Sequence, residues 1–313
     1  MKRVIIVLFC ALIFLQGCAA EPLKDIIARD YPRIDGSTSS LPIVQEIYRA
    51  MFAPEIIDGE QVWADLPQSA SQTIESYRML IDSEVDLIIV PDPSEDVLNL
   101  ADEKGVELEL IPICLEALVF ITHTSAPVDN LTTGQVKLFY SSEIINWHEI
   151  SAESIAIFNT FAAFWRNADS GSHALLEKFV LKSSGVSPEI PEEYIIYSMF
   201  SILDTIENYV NENSDLSSIH PSVTEIPLGY SIYYFLQNNK ESQNWNNIKI
   251  LNIDGIEANN QTIASGEYPF ATNYYAVIKK DTPSGAAART LIKWLLTNEG
   301  QEIIEKSGFG KIN

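Results

Sequence analysis

Positive charge is scarce in this chain: 20 lysines and arginines stand against 43 aspartates and glutamates, for a formal net charge of −23. Nucleic acid and anionic membrane surfaces are held by clustered Lys and Arg, so neither is expected as a partner. Cysteine is nearly absent. Of the three, Cys10 and Cys18 lie near the start, and Cys114 stands alone in the apolar run "LIPICLEALVFIT". That leaves no pair for an internal disulfide framework and makes Cys114 a buried, inert thiol. His123, His148, His173 and His220 are widely spaced and lack i, i+4 partners, so no metal site is expected, and no cofactor motif is found. There is no internal repeat and no low-complexity tract.

Hydrophobic residues make up 46% of the 313, which is ordinary for a globular protein of one large or two medium domains. The first residues read differently. "MKRVIIVLFCALIFLQGCAA" places Lys2 and Arg3 before an apolar run from Val4 to Leu15, too short to span a bilayer as a helix. A secretory signal over residues 1–17 is the expectation. Its boundary, "LQGC", resembles the lipobox of bacterial lipoproteins, which implies cleavage before Cys18, lipid on that cysteine, and a tether over residues 18–33. The alternative is a plain signal peptide followed by an incidental cysteine.

Strands and helices alternate along the remainder. "GSTSSLPIVQEIYRAMF" predicts a helix with Pro42 in its first turn, where the missing N–H costs nothing. Val85–Val90 reads as a buried strand, and "PSEDVLNLADEKG" as a helix from Ser94 to Gly105. "VELELIPICLEALVFIT" predicts an alternating strand followed by a continuous apolar one, and Thr132 reads as a helix cap. "YSMFSILDTIENYVNEN" has clear helical periodicity, Asp254-Gly255 signals a turn, and two helices close the chain. The pattern predicts an α/β architecture with largely parallel strands. Its two lobes are expected to be joined by crossing strands near Ala117–Thr122 and Tyr274–Lys279: residues 34–122 with 269–313 form one, and 123–268 the other.

Two stretches share one design. In "GSTSSLP", Ser39 and Ser40 precede a helix; in "RNADSGS", Ser170 and Ser172 flank Gly171 at another helix start, four residues beyond Arg166. A helix N-terminus offers unpaired N–H groups and partial positive charge. Serine adds donors, glycine permits close approach, and arginine adds a planar charged fork. Each turn alone is an ordinary capped helix; the pair points to an anion site. Tyr230, Tyr233 and Tyr234 read as lobe packing.

Over nearly the whole mature length the chain resembles the PstS-like phosphate-binding lipoproteins of bacterial ABC uptake systems. The resemblance rests on "IDGSTSSLP", "VDLIIVPDPSED", "DNLTTGQVKLFYSSEIINWHEI", "RNADSGS", "GYSIYYF" and "YPFATNYYAVIKK" in that order. It implies the two-lobed type II periplasmic-binding-protein fold, each lobe a mixed sheet flanked by helices. Phosphate contacts are implied from Ser39, Ser40 and the Leu41 N–H in a first loop, and from Arg166, Ser170, Gly171 and Ser172 in a third. The second loop, "PQSASQT", lacks the family's glycines and offers Ser71 or Thr73. Asp92 is the candidate acceptor for the proton on phosphate, against its reading as a solvated turn residue. The implied protein is a monomeric, non-catalytic binding protein, lipid-anchored outside the bacterial cell membrane, that delivers inorganic phosphate to an ABC permease. Open beside it are another oxyanion or small solute, a secreted serine-dependent hydrolase or phosphatase using Ser40 or Ser170, and a sensor lipoprotein without transport.

Overall fold

The computed structural model describes residues 23–126, 128–141, 160–181, 190–213 and 225–312. The expected signal segment, Cys10, Cys18, His148 and His220 lie outside them. The strands, in chain order, are β1 (Ile34–Gly36), β2 (Glu55–Ile57), β3 (Glu60–Val62), β4 (Leu87–Val90), β5 (Leu108–His123), β6 (Asn130–Leu131) and β7 (Thr160–Ala163). They continue with β8 (Trp165–Arg166), β9 (Ile195–Ile196), β10 (Glu225–Ile232), β11 (Ile248–Ile250), β12 (Asn252–Ile253), β13 (Ala271–Lys279) and β14 (Gly310–Lys311). The helices are α1 (Leu23–Arg29), α2 (Leu41–Met51), α3 (Thr73–Ile81), α4 (Glu95–Glu103), α5 (Thr133–Tyr140) and α6 (Gly171–Leu176). After these come α7 (Met199–Asn213), α8 (Tyr233–Asn239), α9 (Asn260–Ala264), α10 (Ala287–Leu295) and α11 (Asn298–Lys306).

One eight-stranded sheet carries the fold, in the order β1-β4-β13-β5-β10-β7, with β11 and β14 also pairing with β5. The sequence expectation of largely parallel strands is corrected here. Only β1 with β4 and β10 with β7 run parallel within this sheet; β13 is antiparallel to both β4 and β5, and β5 to β10. The crossing strands return through the sheet in the opposite direction, which the alternation of helices and strands does not reveal.

A second correction concerns β5, expected as two strands and found as one of 16 residues. Pro112 stands in the middle of it, paired with Tyr275. Lacking an N–H, it falls at a register shift opposite Tyr274 and Tyr275, and the strand continues past the bulge. Leu108–Ala117 pairs with β13, and Leu118–Thr122 pairs with β10. The strand therefore changes partners at Ala117/Leu118.

Local sequence explains the elements that flank this sheet. In β4, Leu87 and Ile89 join the main core on one face, while Ile88 and Val90 join a smaller cluster with Tyr77, Leu80 and Val97 on the other. That alternation buries the strand on both faces, against α2 on one side and α3 with α4 on the other. Ile43, Val44 and Ile47 give α2 one buried stripe. Ser94 caps α4 through a bond from the Val97 N–H, and Gly105 ends it with φ +66°. Thr132 and Gln135 form a reciprocal capping box on α5. In the other half, Tyr140 stacks edge-on against Trp165 and Tyr230, with centroids 4.9 and 5.5 Å apart, and all three rings are buried. Cys114 is fully buried, and that burial pushes its thiol pKa up, as an inert core cysteine requires.

Candidate anion-binding cleft

Three segments begin helices at one small cleft of about 30 Å³. The first is the turn Ser37–Ser40. Ser37 caps it by accepting from the Ser40 N–H, and it can form only because position 36 is glycine. A Cβ there would stand 2.4 Å from the Ile89 carbonyl oxygen and 2.5 Å from Ser40 Oγ. Ser39 Oγ lies 3.0 Å from Ser37 Oγ and 2.6 Å from the Tyr274 hydroxyl on β13, which fixes its direction. Ser37, Thr38 and Ser39 line the cleft.

The second segment is the start of α3. Gln72 precedes it at φ 75°, a left-handed value that non-glycine residues adopt at a cost of order 1–3 kcal/mol. Ser76 Oγ, from the first turn of α3, lies 2.6 and 2.7 Å from the Gln72 and Gly36 carbonyl oxygens, which share its single proton. Asp35 accepts from the Ser71 N–H at 3.1 Å, so the first two segments are pinned together. Gln72 and Thr73 face the cleft.

The third segment is the start of α6. Ser170 caps α6 by accepting from the His173 N–H, and a π-helical turn, Glu177–Leu181, extends the helix. Gly171 packs directly against Pro91 and Thr73. A Cβ added to it would lie 2.7 Å from both Pro91 Cγ and Thr73 Oγ1, so only glycine allows the segments this close. Ser172 is 1% exposed, and its hydroxyl has no hydrogen-bond partner among the described residues. Such a group costs roughly 1–3 kcal/mol unless something else satisfies it.

Arg166 completes the lining and is only 7% exposed. Its N–H donates to the Tyr230 hydroxyl at 2.8 Å, Nε to the Ile196 carbonyl at 3.0 Å, and Nη2 to the Tyr197 carbonyl at 3.1 Å. Nη1 faces Met199 Sδ at 3.5 Å. No carboxylate among the described residues balances it. Burial lowers its pKa to about 10, with Tyr230 opposing that fall, so the guanidinium is charged at neutral pH. The cleft thus combines three positive helix ends, hydroxyl donors and one buried cation without a counter-charge among the described residues. This is the chemistry of an oxyanion receptor.

Of the residues singled out in the sequence, Ser39, Thr73, Arg166, Ser170, Gly171 and Ser172 meet at this lining. Ser40, Leu41, Ser71 and Asp92 do not. Ser40 Oγ is spent on the carbonyls of Ile89 and Ser37, at 2.6 and 2.9 Å. Leu41 opens α2 behind the turn, and the Ser71 N–H is held by Asp35. Asp92 turns to Lys178 Nζ at 2.7 Å and accepts from Thr272 Oγ1 at 3.3 Å. Sequence reasoning missed Ser37, Thr38, Gln72 and Met199. The cap pattern of "GSTSS" was signal enough for the first two; the backbone of Gln72 left none. A larger groove of about 520 Å³ opens beside Tyr31, Leu80 and Lys279. There Lys279 already bonds Ser83, and Asp86 bonds Arg33, so size does not coincide with unmet chemistry.

Comparison with known proteins bears on the family and the fold. Residues 28–299 match the family model described as the PBP superfamily domain. The chain is 23% identical over 99% of its length to the phosphate-binding protein PstS of Borreliella burgdorferi, covering 98% of that protein. A substrate-binding protein from Clostridium perfringens, solved with bound phosphate, superposes with a TM-score of 0.62 at 19% identity, over 90% of this chain and 98% of that one. An ABC-type phosphate transport receptor from Vibrio cholerae gives 0.59 at 15% identity, over 88% of this chain and 98% of the other. The fold is therefore the two-lobed type II binding-protein fold.

Proposed function

From the premise that this chain belongs to the PBP superfamily, we propose that it captures inorganic phosphate between its two lobes and presents it to an ABC permease. The observation that carries the reading is the Arg166 guanidinium, buried and charged, beside the Ser172 hydroxyl at the meeting of three helix starts; among the described residues the first has no carboxylate partner and the second no hydrogen-bond partner. Each is unfavourable in the empty protein, and a tetrahedral oxyanion relieves both. The PstS relative and the two phosphate-associated structural neighbours support phosphate as that anion.

The lobes are residues 34–122 with 269–313, and residues 123–268, closing by hinge bending about β5 and β13. Affinity is a short-range property of the cleft, because the acidic surface opposes the approach of an anion. No reaction is required. The hydroxyl of Ser40 bonds backbone carbonyls, and Ser170 Oγ accepts a backbone N–H, which supports capping and binding roles over nucleophilic ones. Cys18 in "LQGC" is the proposed lipid attachment, holding a monomer outside the membrane. Among the described residues no helix is long and apolar enough to cross a membrane.

Isothermal calorimetry with inorganic phosphate on a chain beginning at Leu23 tests the reading. Saturable one-to-one binding is expected. No heat, together with no change in melting temperature at millimolar phosphate, refutes it.

A further inference from the structure

We propose that Met199 is a modification site: a peroxide converts its thioether to a sulfoxide, whose oxygen occupies Arg166 and closes the cleft to phosphate; the inference rests on the phosphate reading above. Met199 is the first residue of α7, and its side chain lines the cleft at 6% exposure. Two donors converge on its sulfur. Arg166 Nη1 lies 3.5 Å from Sδ, and the hydroxyl of the fully buried Ser231, on β10, lies 3.3 Å from it.

The guanidinium divides its contacts. Nε and Nη2 donate to the Ile196 and Tyr197 carbonyl oxygens, at 3.0 and 3.1 Å. Among the described residues, the hydrogen-bond partner of Nη1 is the thioether. A thioether sulfur is a weak acceptor, so this nitrogen is satisfied only lightly and an oxyanion oxygen readily takes it. The start of α7 fixes where the sulfur sits, because Ser198 Oγ caps the helix by accepting from the Ser201 N–H at 2.9 Å.

Oxidation reverses that balance. A peroxide delivers one oxygen atom to a sulfur lone pair: the S–O bond forms, the O–O bond breaks, and the peroxide leaves as water or an alcohol. Sulfur is oxidised by two electrons and the peroxide is reduced by two. The product is a polar group where an apolar one stood, and sulfoxide reductases specific for each epimer make the step reversible. Its oxygen is a strong neutral acceptor, one bond from a sulfur already within reach of Arg166 Nη1 and Ser231 Oγ. It takes a donor that the anion needs and occupies part of a cleft of only about 30 Å³. Beyond Met1, the other methionines are Met51 in α2 and Met79 in α3, both partly buried and neither in the cleft lining. They serve as internal controls.

The test is hydrogen peroxide treatment of the protein, with peptide mass spectrometry following oxygen uptake at each methionine and calorimetry measuring inorganic phosphate binding. Loss of affinity is expected to track sulfoxide at Met199 and to reach about tenfold to a hundredfold. The Met51→Leu, Met79→Leu double variant loses binding on treatment as the wild type does. Met199→Leu, whatever its starting affinity, does not change with peroxide. Met199→Gln sets a carbonyl oxygen at the same reach without any oxidant, and is expected to bind phosphate about tenfold more weakly than Met199→Leu. Protein oxidised at Met199 with undiminished phosphate affinity overturns the inference. So does a peroxide loss that persists in Met199→Leu, or a Met199→Gln variant that binds as tightly as Met199→Leu. In each of these cases the untreated wild type still binds phosphate, and that reading stands. Failure of the untreated wild type to bind phosphate refutes the phosphate reading itself, and this inference with it.

Discussion

Replacing Arg166 with methionine is expected to abolish phosphate capture while leaving the folded protein nearly as stable as before. The guanidinium is 7% exposed, and burial pulls its pKa down to about 10. That fall corresponds to roughly 3 kcal/mol of charge destabilisation in the empty protein, which a neutral side chain removes. Against it stand the lost bonds to the Ile196 and Tyr197 carbonyls, at about 1 kcal/mol each. The net effect on the ligand-free chain is on the order of 1 kcal/mol either way, a few degrees in melting temperature. Binding behaves differently. Two charge-assisted bonds to an oxyanion contribute about 3–6 kcal/mol, so affinity falls by roughly two to four orders of magnitude. Thermal melts with and without phosphate read both quantities. A variant that melts like the wild type but no longer shifts with phosphate agrees with the reasoning. Unfolding on the scale of about 3–5 kcal/mol points to a structural ion pair, and a retained phosphate shift removes Arg166 from the site; either refutes it.

Three further outcomes follow from the same geometry. Ser172→Ala removes a buried hydroxyl that has no partner among the described residues, so the ligand-free protein keeps its stability, while phosphate affinity drops by about fivefold or more in calorimetry. Gly171→Ala brings a Cβ to 2.7 Å from Pro91 and Thr73; the lobes are held apart, and small-angle scattering with phosphate shows a larger particle than the wild type. Glu116 is fully buried on β5, with one oxygen accepting from the Ala117 and Tyr234 N–H groups and the other unpartnered, and burial raises its pKa to about 8. The folded state then holds a proton that the unfolded state releases above its ordinary carboxylate range. Stability is accordingly lost as pH rises towards about 8, by up to roughly 5 kcal/mol, and urea melts of Glu116→Gln lose that dependence.

The parts of this molecule that obey local rules were legible in its sequence. Ser94, Thr132 and Gly105 mark helix ends by chemistry acting within a few residues, and the structure has them there. That Ser39, Arg166, Ser170, Gly171 and Ser172 stand at hydroxyl-rich helix starts was legible too, and the fold brings them to one lining. What failed depends on distant partners. Strand direction in the sheet is decided by β13 inserting between β4 and β5, and no local pattern encodes that. The change from alternating to continuous apolar residues read as two strands, but the pairing with β13 and its bulge at Pro112 keep β5 as one. Ser40 and Asp92 have residue types suited to a ligand, yet Ile89 and Lys178 claim them across long stretches of chain. Gln72 enters the cleft through a backbone torsion that glutamine does not advertise.

The central claim is that one oxyanion sits where the starts of the Ser37–Ser40 turn, α3 and α6 meet Arg166. A crystal structure of the protein grown with phosphate tests it most directly. The account predicts a tetrahedral anion within hydrogen-bond distance of the Arg166 guanidinium, Ser172 Oγ and the first N–H groups of α6. An anion bound elsewhere, with the Arg166 guanidinium still on the Ile196 and Tyr197 carbonyls and touching no ligand, contradicts it.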